Sequence, residues 1–273
     1  MFNFDSAIVR SPSRSVVAGL RADQGQVPTW EGIVAEHRAY VAALEAAGLD
    51  IEVLPALEAF PDSVFVEDPA LVFGEGAVLL RPGAPSRAGE AAHLAPTLEE
   101  RFDRVFALPA GHVDGGDVLV TPGCVYIGLS SRTDAEGAQA LVSILGEFGR
   151  TASVVATPPG ILHLKSAAAL IDEETILVTE TLAGAGLFDG MRQLSVPRGE
   201  DQAANVLRLN DVVLVGAAFP RTIDLLMRRG MSVVPLAVTE VAKLDAGLSC
   251  MSLRWKRGRR RGRRAFRRPW VFA

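Results

Sequence analysis

The chain has 273 residues, 49% hydrophobic and 22% charged, with two cysteines, Cys124 and Cys250. That composition supports one or two globular domains with a sizeable core, and it excludes a disulfide-stapled scaffold. The longest apolar stretch, Val212 to Phe219, is too short to cross a bilayer, and Met1 to Arg14 lacks the apolar run of a signal peptide, so a reducing, cytoplasmic setting is expected.

Charge is unevenly spread. From Lys256 the sequence reads KRGRRRGRRAFRRPWVFA, with nine Lys or Arg and no acid; the 28 basic residues minus these nine leave 19 against 32 acids in the body. Blocks of like charge repel, so residues 256–273 read as a disordered basic tail appended to one domain, 1–255. Nucleic acid or an anionic surface is an expected partner only through that tail.

Taken in order, Ala7–Val9 reads as a strand. Trp30–Ala47 has helical apolar spacing and stops at Gly48, and Ile51–Leu54 is a strand closed by Pro55. Strands Ala70–Phe73 and Ala77–Leu80 flank a Gly74-Glu75-Gly76 hairpin turn; a helix over Arg87–Phe102, interrupted near Pro96, and strand Val105–Leu108 follow. The pattern recurs as strands Asp117–Val120 and Val125–Leu129, helix Asp134–Phe148 and strand Ser153–Ala156. It recurs again as Ala167–Ile171, Ile176–Thr179, a helix near Ala185–Gln193 and strand Leu194–Val196. A further unit has Val206–Leu209, Val212–Val215, helix Arg221–Arg229 and strand Ser232–Pro235. The last strand, through Cys250 and Leu253, has no helix after it and completes the unit begun at the N-terminus.

Five ββαβ repeats at this spacing predict an α/β fold: a five-bladed α/β propeller with pseudo-five-fold symmetry, closed by strands from both chain ends. A doubly wound α/β sheet is the alternative, but no Gly-x-Gly-x-x-Gly follows the first strand. In a ring, loops at one end face a shared cavity. Polar residues recur in phase there: Asp62 to Asp68, His112 to Asp117, His163 to Lys165, and Cys250.

Cys250 is a candidate nucleophile, although a free cysteine also packs as a small hydrophobe. His163, in an otherwise apolar stretch, could exchange protons with it or simply fill the core. Asp114 and Asp117 flank two glycines, which suits either a turn or a close approach of backbone to ligand. Adjacent Glu67 and Asp68 point to opposite sides if extended, so at most one of them meets a given ligand group. Carboxylates beside a thiol suit a planar cation, and Arg87 and Arg132 could hold a carboxylate at its other end, or be solvated helix-entry residues. Cys124 reads as structural, and His37 and His93 as surface helix residues. No His-Glu-x-x-His or Cys-x-x-Cys spacing occurs, so neither metal nor cofactor is expected.

With these residues in view, the chain from about Ile8 to Arg254 resembles the dimethylarginine dimethylaminohydrolase family of the guanidine-modifying (pentein) superfamily. The motifs are Phe60-Pro-Asp-Ser-Val-Phe-Val-Glu-Asp-Pro69, Arg81-Pro-Gly with Ser86-Arg87, Asp114-Gly-Gly-Asp117, Gly128 through Arg132-Thr133 to Glu136-Gly137, His163-Leu-Lys165 and Leu248-Ser-Cys-Met-Ser-Leu253. The resemblance implies a five-bladed propeller and hydrolysis of a small-molecule methylated arginine to citrulline. It implies that Cys250 attacks the guanidinium carbon, with His163 as acid and then base and Asp114 in the catalytic set. Asp68 and Asp114 match positions that hold guanidinium nitrogens, and Asp62 and Glu67 match supporting positions. Arg87 and Arg132 match the α-carboxylate clamp, Leu20 and the main chain at Leu244 the amino-acid end, and Phe65 a packing position. Arginine deiminases are similar but carry an acid two residues after the histidine; here Lys165 stands there, which argues for methylated substrates.

Overall fold

The computed structural model describes residues 2–188 and 190–257. Five three-stranded sheets, each with one antiparallel and one parallel pairing, make up the fold. The first sheet holds β1 (Ser6–Arg10), α1 (Trp30–Ala46) and β2 (Asp50–Leu54). The second holds β3 (Ala70–Phe73), β4 (Gly76–Leu79), α2 (Ala95–Arg101) and β5 (Val105–Ala107). The third holds β6 (Val118–Val120), β7 (Val125–Leu129), α3 (Ala135–Glu147) and β8 (Ala152–Ala156). In the fourth are β9 (Ala168–Leu170), β10 (Thr175–Val178), α4 (Glu180–Ala183) and β11 (Arg192–Ser195). In the fifth are β12 (Leu207–Leu209), β13 (Val212–Gly216), α5 (Pro220–Arg228) and β14 (Ser232–Leu236); α6 (Thr239–Ala242) and β15 (Leu253–Trp255) follow. β15 returns to the first sheet, antiparallel to β1 with Ile8 opposite Leu253, so the two ends of the described chain close the ring as the repeat count implied.

Burial follows radial position. Middle strands β1, β4 and β10 are buried along their whole length, which is why they read as continuous apolar runs. Outer strands such as β8 and β14 alternate between half-buried and exposed. The helices are capped where the sequence provides an acceptor: Thr29 accepts from the Gly32 N–H at the start of α1, and Asp134 from the Gly137 N–H at the start of α3.

Most expected elements lie within two residues of those observed; four expectations are corrected. The helix over Arg87–Phe102 is two short 3-10 turns and then α2, because Gly89 is left-handed (φ 97°) and Pro96, lacking an N–H, sits in a first turn rather than an interior. The helix near Ala185–Gln193 is absent; α4 lies earlier, and Gly186 and Gly190 take positive φ after it. Cys250 is not in a strand but in a 3-10 turn over Leu248–Met251, just before β15. His37, expected at the surface, is buried in α1, and burial pushes its imidazole down to about 4. No helix among the described residues is long and apolar enough to cross a membrane.

Of the basic tail, Lys256 and Arg257 are described and 258–273 lie outside the described residues. Arg257 is exposed and pairs with Asp50 and Asp5. A domain ending at Trp255 is therefore expected to lose less than about 1 kcal/mol in urea unfolding, because exposed ion pairs contribute little. A chain ending at Ser252 removes β15, leaves the β1 edge unpaired, and is expected to fail to fold or to aggregate in the same measurement.

Candidate active site

The segments that lead into the inner strands converge on one end of the ring. A cavity of about 190 Å³ there is lined by Leu20, Arg21, Ala22, Asp62, Phe65, Asp68, Arg87, Asp114, Arg132, Leu162, His163, Leu244, Asp245, Ala246 and Cys250. Ten of the eleven residues singled out from sequence line it; Glu67 does not.

His163 precedes the 3-10 turn that enters β9, and Asp114 precedes the turn that enters β6. Both side chains are buried, with His163 Nε2 3.1 Å from Asp114 Oδ2. Asp114 Oδ1 accepts the Gly83 N–H at 2.7 Å. Burial by itself lowers the pKa of the His163 imidazole, but the hydrogen bond to Asp114 and the charges of Asp68 and Asp117 outweigh it, so the net shift is upward. The two glycines between Asp114 and Asp117 admit the protein's own groups. A Cβ on Gly115 would lie 2.0 Å from the Glu67 carbonyl oxygen, and one on Gly116 2.6 Å from His163 Nδ1.

Asp68 is held from two sides. Its Oδ1 accepts the Gly116 N–H at 2.9 Å, and its Oδ2 pairs with Arg87 Nη1. Burial pushes the Asp68 carboxyl up, but Arg87 and then His163 pull it down further, and the net shift is downward. Asp62 ends above the ordinary carboxylate range, because burial outweighs Arg87 there. Cys250 has the Gly247 N–H 3.5 Å from Sγ. Burial, then the negative charges of Glu67 and Asp68, push its thiol up to about 12, against the pull of that N–H and of Lys165. The free cavity thus holds a neutral thiol beside a readily protonated imidazole.

The structure places three residues differently from expectation. Glu67 does not line the cavity; it shares a turn with Asp68, and its carboxylate binds Lys165 Nζ at 2.7 Å, Ser249 Oγ at 3.0 Å and Arg254 Nη2 at 3.3 Å. Lys165, paired there, does not line the cavity, so its charge is no selectivity element; what remains is the lack of a carboxylate at that position. Arg87 lines the cavity, but its guanidinium is already committed: Nε and Nη2 donate to Glu90, and Nη2 also to the Asp62 and Phe65 carbonyls. Arg132 is half-buried in the cavity wall.

Behind the site, sequence reasoning missed the anchoring role of Asp117 and missed Asn205 altogether. Asp117, fully buried, accepts from Ser130 Oγ at 2.6 Å, Thr133 Oγ1 at 2.7 Å and the Leu164 N–H at 3.0 Å, tying the His163 segment to the Arg132 turn. Asn205 fixes the Cys250 turn through the Ser249 N–H at 3.0 Å and the Lys165 carbonyl at 3.1 Å. Asp117 falls in the Asp114-Gly-Gly-Asp117 motif, a signal that could have found it; Asn205 carries none.

Donor atoms of Asp68, Asp114 and His163 lie within 4.8 Å of one another. Arg87 and main-chain N–H groups already serve the two carboxylates, and a flat cation that donates several hydrogen bonds fits such a set.

The family model for arginine deiminase matches residues 55–202. The N(G),N(G)-dimethylarginine dimethylaminohydrolase of Pseudomonas aeruginosa is 37% identical over 92% of this chain and the whole of that protein. The protein so named from Streptomyces coelicolor is 37% identical over 91% of this chain and 96% of that one. A solved structure of the Pseudomonas aeruginosa enzyme, a cysteine-to-serine mutant complexed with citrulline, superposes with a TM-score of 0.90 over 93% of this chain and all of that one. The N-terminal domain of a cyanobacterial arginine dihydrolase, 17% identical, shares the fold with a TM-score of 0.80 over 92% of this chain and 98% of that one. Fold and donor set define a cysteine hydrolase of the guanidine-modifying superfamily. The chain belongs to the dimethylarginine dimethylaminohydrolase family.

Two outcomes test this geometry. Gly116→Ala drives a methyl group into the His163 ring and is expected to cost about a hundredfold in turnover, with circular dichroism unchanged. In an NMR titration His163 is expected to titrate above the ordinary 6.5, and Asp114→Asn to lower that midpoint. Because its folded pKa is raised, its contribution to stability is complete below about pH 6.5 and is lost as pH rises through the folded midpoint.

Proposed function

We propose that this protein hydrolyses Nω-methylated arginines, dimethylarginine and monomethylarginine, to citrulline and an alkylamine, in the cytoplasm. One observation carries the reading: a thiol, an imidazole and buried carboxylates meet in a single small cavity that Arg132, Leu20 and Leu244 also line.

The guanidinium enters the negative field of Asp68, Asp62 and Asp114. Burial, and then the charges of Glu67 and Asp68, keep Cys250 protonated at rest; a bound cation offsets those charges, so the thiolate is favoured once substrate is present. The thiol proton passes to solvent water as Sγ bonds to the guanidinium carbon, with His163 already protonated. His163 protonates the departing nitrogen, the C–N bond breaks, and a cationic thiouronium and the free alkylamine remain. His163, now neutral, takes a proton from water whose oxygen attacks the same carbon. The Sγ–C bond breaks, the hydroxyl proton of the adduct passes to sulfur as the carbonyl of citrulline forms, and the thiol is restored with His163 protonated again. Asp114 orients the imidazole and stabilises its cation. Arg132 takes the α-carboxylate; Arg87 holds Asp68 in place and has one Nη1 hydrogen beyond those already donated.

Citrulline release from asymmetric dimethylarginine, monomethylarginine and arginine, with wild type beside Cys250→Ser, tests the reading. Methylated substrates are expected to be turned over and arginine to lag, with the mutant down by at least about a thousandfold. Preference for plain arginine would overturn it in favour of a deiminase. A second check is alkylation of the free enzyme: with a neutral reagent the rate at Cys250 is expected to keep rising from neutral pH towards about 12, without an acid plateau.

A further inference from the structure

Gly19 to Pro28 runs past the cavity with neither helix nor strand, and Ala22 to Val27 are exposed. Such a segment has little burial of its own to hold it against the entropy of the free chain. Two carboxylates hold it instead. The Leu20 N–H donates to Asp62 Oδ1 at 3.0 Å, and the Ala22 N–H to Asp245 Oδ2 at 2.6 Å. Between them Arg21 curls back, its Nη1 donating to the Val17 and Gly19 carbonyls at 3.1 and 3.3 Å. All five residues, Leu20 to Ala22, Asp62 and Asp245, line the cavity.

Asp245 is unusual in a second way. With φ at 53°, it is one of two non-glycine residues with positive φ among those described. Aspartate and asparagine tolerate that conformation better than other residues. The turn ends α6, with the Leu244 N–H donating to the Val241 carbonyl at 3.0 Å and the Asp245 N–H to the Ala242 carbonyl at 3.1 Å. From there the chain turns towards Cys250. Rotation about the Asp245 N–Cα bond sets the peptide plane of Leu244 relative to the Asp245 carboxylate. One left-handed residue thereby joins Leu244 in the cavity wall to a carboxylate that meets Ala22.

From these contacts we infer that Asp245 is a positioning residue: it pins the 20–22 segment across the cavity and fixes the Leu20 and Leu244 main chains that receive the amino-acid end of the substrate. The identity of that substrate rests on the methylarginine reading; the pinning does not. Asp245 touches no reacting atom, so it acts on substrate affinity rather than on bond making.

Three variants separate carboxylate from backbone. Asp245→Gly keeps the left-handed turn and deletes the latch, Asp245→Asn keeps the turn and an acceptor oxygen, and Asp245→Ala loses the latch and strains the turn. For Asp245→Gly, KM for dimethylarginine is expected to rise about tenfold with kcat within about twofold of wild type. Trypsin cleavage after Arg21 in the substrate-free protein is expected to quicken by a similar factor. Asp245→Asn is expected to recover most of both effects, and Asp245→Ala to match the glycine variant in KM while also melting earlier. Unchanged KM and unchanged cleavage at Arg21 in Asp245→Gly would overturn the inference. So would a fall in kcat with cleavage quickened at every site, which is what general loosening produces. If wild type turns over no methylarginine while the glycine variant still opens at Arg21, the substrate reading fails and the pinning stands.

Discussion

Arg87 is the interaction on which the cavity depends. Asp62, Asp68 and Glu90 crowd one buried region, and carboxylates in such surroundings would protonate or repel without a counter-charge. The guanidinium meets Asp68 and Glu90 directly and reaches the Asp62 and Phe65 carbonyls as well. Its planar fork allows one residue to satisfy four groups in fixed directions, which a lysine could not do. Removing one partner from such a set leaves a buried charge unpaired, which typically costs about 3–5 kcal/mol. Asp68 is thereby kept ionised and aimed, and burial of the rest of the ring can proceed around it.

The ring has a second polar layer just beyond the first. Glu67 takes Lys165, Arg254 and Ser249 at the edge of a space of about 540 Å³ that the inner strands β3, β6, β9, β12 and β15 line along their length. Its N–H donates to the Cys250 carbonyl at 3.1 Å. Two neighbouring acids thus serve two sides of one wall: Asp68 faces the cavity, and Glu67 anchors the turn that bears the nucleophile. Burial does most to hold the thiol up in pKa, and the same arrangement adds to it, since both carboxylates lie near the thiol and outweigh the Gly247 N–H and Lys165.

Strand order, blade number and ring closure could be read before any coordinates, because the inner and middle strands are buried on both faces and appear as unbroken apolar runs between Gly and Pro turns. Failures came where local pattern and tertiary demand part. Alanine-rich stretches near Arg87 and Ala185 look helical, yet Gly89 breaks the first after a turn that buries Arg87, and Gly186 and Gly190 turn the second. His37 has the spacing of a surface residue, but α1 packs on the first and fifth sheets and buries it. Cys250 looks like a strand residue because its neighbours are apolar; it is the Asn205 side chain, 45 residues away, that holds it in a turn.

The chain's own order of residues was sufficient for the fold and for the membership of the cavity, since both follow from a repeat whose loops keep step with its strands. It was not sufficient for the role of each member. Which way Glu67 and Lys165 face, that Arg87 is spent on Asp68 and Glu90, and that Asp245 reaches back to Ala22 are set by contacts between residues up to 223 positions apart. Side-chain direction and hydrogen-bond partner depend on which segments the closed ring brings together. No local spacing encodes that, and only the tertiary structure decides it.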